Sequence, residues 1–260
     1  DAYNTAIGYY AGYAVTTGID NTIVGGAAGD AMTTAFSNTY IGRNSGGATT
    51  IGNSNVAIGD GALYTNVAAD RNIAIGVNAL YTMTSAVTSD HYNIGIGYDA
   101  GKLITSGFKN TLIGGFAGDS LATGNYNVAL GYNTLASEDA HGYNIAIGGN
   151  ALATLDAGAD GHNTAVGHNA GTAMTTGKHN VLIGSAAGDA LTTGAYNVAI
   201  GKAALSTEDT YGRNIAIGYA ALETLNAGAD GYNVAVGYYA GQLMTTGFNN
   251  TLVGGQAGAN

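Results

Sequence analysis

The sequence predicts an all-β fold, a parallel β-solenoid or β-roll of about fifteen coils, on three observations. A seventeen-residue unit, Asn-[Thr/Val/Ile]-x-[Ile/Val/Leu]-Gly-x-x-Ala-[Gly/Leu], recurs from end to end of the 260 residues. Its second position is β-branched in every copy, and its fifth is glycine in every copy. A fixed short period of this kind means stacked, nearly identical units, each burying its apolar face against its neighbours.

Each element follows from the unit. The leading residues are Asn4, Asn21, Asn38, Asn55, Asn72, Asn93, Asn110, Asn127, Asn144, Asn163, Asn180, Asn197, Asn214, Asn233 and Asn250, spaced by 17 residues except for one step of 21 and two of 19. In coils stacked at about 4.8 Å, identical asparagines can hydrogen-bond along their column, and asparagine also caps turns. Positions 2 to 4 read as a short strand. Residues 2 and 4 share one face and residue 3 takes the other, because side chains alternate. Both faces are apolar, so both are expected to be covered, as in most parallel sheets. The glycine at position 5 (Gly8, Gly25, Gly42, Gly59, Gly76, Gly97, Gly114, Gly131, Gly148, Gly167, Gly184, Gly201, Gly218, Gly237 and Gly254) reads as a corner needing positive φ, with close backbone approach as the alternative. Position 8 is alanine apart from Ser45 and Thr134, which suits a tight interior. The Thr-Thr-Gly runs at 16–18, 175–177 and 245–247 predict a second short strand ending in another glycine corner. A helical reading fails, since glycine at this density costs about 1 kcal/mol per residue in helix interiors.

A longer rhythm overlies the first. From Asn93 the sequence repeats every 70 residues, so that 144–148 aligns with 214–218. The chain reads as one repeat array over 1–260: irregular coils in 1–92, super-repeats in 93–162 and 163–232, and a partial one in 233–260. The extra residues lie just before Asn93, Asn163 and Asn233. They predict protruding loops, which are natural places for contact.

Composition excludes several classes. With 44 Gly but no Pro the chain is not collagen. Hydrophobic residues at 46% in fixed positions are not a disordered linker. The net charge of −10, with seven Lys and Arg scattered singly, leaves no basic face for nucleic acid. No cysteine is present for disulfides or thiolate metal sites. No apolar run approaches the roughly 20 residues of a membrane-spanning helix. Because Asp1 falls partway through a unit, the chain reads as a segment of something longer.

The strand Asn-Val-Ala-Ile-Gly at 55–59 and 197–201 resembles the head repeats of trimeric autotransporter adhesins. The fuller forms Asn-Thr-Ala-Ile-Gly-Tyr-Tyr-Ala-Gly at 4–12 and Asn-Thr-Ala-Val-Gly-His-Asn-Ala-Gly at 163–171 are similar to phage tail-fibre repeats. The resemblance covers the whole chain. It implies a left-handed parallel β-roll with three chains about a common axis, which would cover the second apolar face. Seventeen residues also suffice to close a three-sided monomeric solenoid.

Little in the chain points to chemistry. His91, His141, His162, His168 and His179 show no metal-ligand spacing and read as exposed surface residues. The pairs Glu138-Asp139 and Glu208-Asp209 could bind Ca²⁺ or act as acid and base, but their recurrence 70 residues apart favours a solvated loop. Gly95, Gly97 and Gly101 mimic a nucleotide loop without a following helix. Of the eighteen tyrosines many recur at position 6 or just before the asparagine, as a stiffening ladder or as a surface for sugars. The Thr-Thr pairs, which would suit an ice-binding face, occupy only part of the units. No catalytic, cofactor or metal residue is assigned. The expectation is a non-enzymatic shaft or adhesive segment of a fibrous, extracellular or virion-surface protein, such as a phage tail fibre. Its partners are expected to be itself, as a homotrimer or end-to-end stack, and cell-surface glycan or receptor. The alternatives are an extracellular filament subunit, a bacterial adhesin, and a carbohydrate-active solenoid enzyme.

Overall fold

Each coil contributes one three-residue strand to a parallel β-solenoid, in a computed structural model that describes residues 3–84 and 89–259. Among the described residues there is no helix, and so none long and apolar enough to cross a membrane. The chain divides into two compact units, Asp1–Asn127 and Val128–Asn260. In the first, coil strands run Thr5–Ile7, Thr22–Val24, Thr39–Ile41, Val56–Ile58, Ile73–Ile75, Ile94–Ile96 and Thr111–Ile113. Successive strands pair in parallel with repeat positions matched, as in Thr22 with Thr39 and Ile23 with Tyr40. A two-residue pair, Ala69–Asp70 with Ser89–Asp90, flanks the 21-residue coil. In the second unit the coil strands are Val128–Leu130, Ile145–Ile147, Thr164–Val166, Val181–Ile183, Val198–Ile200, Ile215–Ile217, Val234–Val236 and Thr251–Val253, paired in the same way.

Within a coil, position 3 points inward, as the alternation of buried and half-exposed residues along each strand shows. It meets positions 8, 9 and 12 in the interior, and their sizes compensate. Where position 9 is glycine, position 3 or 12 is large: Ile23 with Gly29 and Met32, or Leu182 with Gly188 and Leu191. Where position 9 is leucine, position 3 is alanine, as in Ala146 with Leu152 and Ala216 with Leu222, all fully buried. Tyr40 is the extreme case. Its ring occupies the space beside Gly46, where a Cβ would lie 2.5 Å from Cε2, and its hydroxyl donates to Thr49 Oγ1 at 3.2 Å. Burial pushes the Tyr40 phenol well above its ordinary value.

The position-5 glycines satisfy both readings open in the sequence. Gly148 has φ +120, and a Cβ there would lie 2.6 Å from the Gly167 carbonyl oxygen of the next coil. Three further positions in the coil are left-handed and in many coils carry ordinary side chains, position 9 only where it is not glycine. They are position 7 (Asn150, Asn169), position 9 (Leu152, Leu205) and the residue before the repeat asparagine (Tyr143, His162, Arg213). Outside glycine and asparagine this conformation costs roughly 1–2 kcal/mol per residue. At position 9 the buried leucine recovers about as much by burial.

Three expectations are corrected. The Thr-Thr-Gly segments are bends rather than strands. The amides of Thr16, Thr17 and Gly18 all donate to the single carbonyl of Thr33, at 3.0, 3.2 and 3.1 Å. Converging three donors on one acceptor forces the chain to curl where a strand would stay extended. Gly18 and Gly177 are there for close approach rather than for positive φ, since a Cβ would lie 2.4 Å from Ala35 O and 2.6 Å from Gly194 O respectively. The outer face of the sheet is not covered by the chain itself. Ile145, Ile183 and Ile215 on that face are each more than a third exposed. The second correction concerns the acidic pairs and the third His91, which is buried rather than exposed; both are treated below. The loops before Asn163 and Asn233 are exposed at Gly158 and Gly228, where an added Cβ would meet nothing. The expected loop before Asn93 falls partly on 85–88, outside the described residues.

Candidate functional site

The asparagine column is the most completely built polar feature. In the first unit each repeat asparagine from Asn21 to Asn127 donates its backbone N–H to the preceding Oδ1, at 2.9 to 3.1 Å. In the second the same bond runs from Asn163 to Asn250 at 2.9 to 3.3 Å. The side-chain amide spans its own coil, as from Asn180 Nδ2 to Gly194 O at 2.9 Å. The long coils replace that carbonyl, so Asn72, Asn144 and Asn214 donate instead to the carbonyl two residues before. With both amide ends engaged, the column has no free chemistry. It is a structural site.

Glu138 and Glu208 are not in a solvated loop. Both are fully buried at position 12, the column otherwise filled by residues such as Met32, Ile104 and Met174. Each receives two backbone amides. Glu138 accepts from His141 N at 3.1 Å and Ala157 N at 3.3 Å, and Glu208 from Tyr211 N and Ala227 N, both at 3.3 Å. They hold the widened 19-residue coil in place. Desolvation raises both carboxyls above the usual range, against the lowering by those amides. The column alignment carried this signal, since an acid at an otherwise apolar register position is buried by the stack.

Around Glu138 the donor atoms of Asp139, His141 and Asp156 all lie within 4.8 Å of one another, a set that could hold a divalent ion. The equivalent coil 70 residues on keeps Glu208 and Asp209 but has Tyr211 and Asn226 in place of His141 and Asp156. Of the other histidines, His162, His168 and His179 are exposed as expected. His91 is buried, with Nδ1 2.8 Å from Ser89 O. Gly95 is an interior position 3 whose Cβ would strike Leu80, while Gly97 and Gly101 are left-handed corners. Packing accounts for all three glycines, so they form no phosphate loop.

The column before the repeat asparagine is exposed and aromatic. In the second unit Tyr143, His162, His179 and Tyr196 stack with centroids 5.0, 5.4 and 4.9 Å apart. Arg213 continues the column, 5.6 Å from the rings of both Tyr196 and Tyr232, and also pairs with Asp230. In the first unit Lys109 lies 5.0 Å from the Tyr126 ring, and Arg71 lies 5.7 Å from that of Tyr92. The left-handed backbone throws these side chains outward in register, one above the next. At position 6 Tyr219 and Tyr238 stack at 5.6 Å, and Tyr239 packs edge-on against Tyr238 at 4.2 Å. Hydrogen bonding among these phenols pushes Tyr239 up to about 12. No protein-family model matches the chain, and a search of curated proteins finds no match.

Proposed function

We propose that the chain is a non-enzymatic spacer segment of a fibrous surface protein of the phage tail-fibre kind, working outside the cell or on a virion as a homotrimer. One observation carries this reading: each coil spends its polar groups on the coils above and below while leaving an apolar row, including Ile145, Ile183 and Ile215, on the outside of the sheet. A partly exposed apolar face is a place for other chains to pack. The exposed aromatic columns add surfaces suited to weak glycan contact. Sedimentation equilibrium and negative-stain microscopy test the proposal. A trimer of elongated particles supports it, and Ile183→Lys should dissociate that trimer while the β-type circular dichroism persists. A monomer at all concentrations overturns the assembly, and open-ended growth with concentration favours a filament subunit. Release of reducing ends from polysaccharide would show an enzyme instead.

A further inference from the structure

We propose that a surface cavity of about 360 Å³ in the first unit binds a neutral pyranose unit of a glycan. The inference takes the surface-protein reading as its source of glycan and adds the site. The cavity lies across three consecutive coils, with Arg43 and Asn44 from the first, Asp60 and Tyr64 from the second, and Asn78 and Tyr81 from the third. Its volume sits at the lower end of the range for ligand sites, roughly 300–1,000 Å³, which is room for one or two sugar rings.

The lining has the chemistry a sugar needs. Tyr64 and Tyr81 stack with centroids 5.2 Å apart and planes 21° apart, giving an apolar wall with a polar rim. Arg43 donates through Nε and Nη2 to Asp60 Oδ2 at 3.3 and 2.7 Å. That geometry leaves Asp60 Oδ1 to accept and Arg43 Nη1 to donate. The Asn44 side-chain amide and both tyrosine hydroxyls have no protein partner among the described residues. The ion pair is charge-balanced, so the cavity suits a neutral ligand, and the net charge of −10 disfavours a polyanion.

Gly61 lines this space and Gly47 leaves room for its Tyr64 wall. A Cβ on Gly47 would lie 2.9 Å from Tyr64 Cε2, and one on Gly61 would lie 2.9 Å from Asn78 Oδ1 and 3.2 Å from Tyr81 Cε2. At the repeat position of Tyr64 and Tyr81 the second unit carries small or polar residues such as Ala153 and Ser206. Stacking of coils therefore proceeds without these rings, and their presence here calls for another reason.

The test is a titration of the full chain with methyl pyranosides of glucose, galactose, mannose and N-acetylglucosamine by saturation-transfer NMR, backed by a glycan array. At least one should bind, and Tyr64→Ala and Asp60→Asn should each weaken it by about tenfold or more. Gly47 lacks positive φ, so Gly47→Ala displaces the Tyr64 ring without backbone strain and should weaken binding in a chain that melts normally. Tyr196→Ala, in the exposed column of the second unit, should leave it unchanged. No binding by the wild type, or binding indifferent to all three cavity variants, overturns the site. If elongated oligomers form nonetheless, the spacer reading survives. Loss on Tyr196→Ala alone would move recognition to the aromatic column and equally remove the cavity.

Discussion

A buried primary amide is expensive unless both ends are used, and the repeat asparagines inside the stack, such as Asn180, use both. Asn180 Oδ1 accepts from Asn197 N at 2.9 Å, and its Nδ2 donates to Gly194 O at 2.9 Å and Asn163 Oδ1 at 3.3 Å. Asn180→Ala strands a buried N–H and a buried C=O, each worth about 1–3 kcal/mol. The expected loss is therefore several kcal/mol, and Asn180→Asp should do no better because a carboxylate cannot donate to Gly194 O. Thermal melts with hydrogen exchange at Asn197 measure this; a variant as stable as the parent would show the column to be ornamental. The corner glycine is tested separately. Gly148→Val sets a β-branched residue at φ +120 and aims its Cβ at Gly167 O. Backbone strain alone should cost about 1–3 kcal/mol, and an unchanged melting profile would refute the strain.

At the scale of one coil, the interior behaves as a single volume filled from either of two positions. Leu182→Ala empties it and should cost about 2–5 kcal/mol. Gly188→Leu overfills it, since a Cβ at Gly188 already meets Leu182 Cδ2 at 2.8 Å. The double variant rebuilds the arrangement of Ala146, Leu152 and Leu155, whose Leu152 has φ 50 against 55 at Gly188. A double-mutant cycle should therefore show favourable coupling of about 1–3 kcal/mol; additive losses would mean the two positions do not share a space. The same coil explains what the sequence revealed. Asn and Gly at positions 1 and 5 are legible because stacking allows nothing else there, and invariance is the direct trace of that constraint. The left-handed position 9 was illegible because leucine does not favour that conformation, and its burial hides the cost. Thr16 and Thr17 misled through their strand propensity, which the convergence of amides on Thr33 O overrides. Glu138 and Glu208 misled as acids, although their column position already placed them inside. The cavity at Tyr64 and Tyr81 joins residues of three coils, so it emerges only once the coils are stacked.

For the molecule as a whole, charge and burial act in one direction. The carboxyls of Asp119, Asp189 and Glu208 are all raised above their ordinary values, desolvation being the largest cause in each. Oδ1 of Asp119 and of Asp189 is buried without a hydrogen-bond partner among the described residues. A group with a raised folded pKa binds its proton more tightly folded than unfolded. Its stabilisation is complete below the unfolded value, 3.8 for aspartate and 4.5 for glutamate, and is lost as pH climbs through the folded value. Self-repulsion from the net charge of −10 grows over the same interval. The chain should therefore melt at a higher temperature near pH 4.5 than at pH 7.5, opposite to a protein held by exposed ion pairs. Asp189→Asn keeps the shape and removes the ionisation. It should raise the melting temperature at pH 7.5, leave it nearly unchanged at pH 4, and flatten the profile between. A wild-type melting temperature that climbs steadily from pH 4.5 to 7.5 would mean these carboxyls are hydrated in solution and their burial is not maintained.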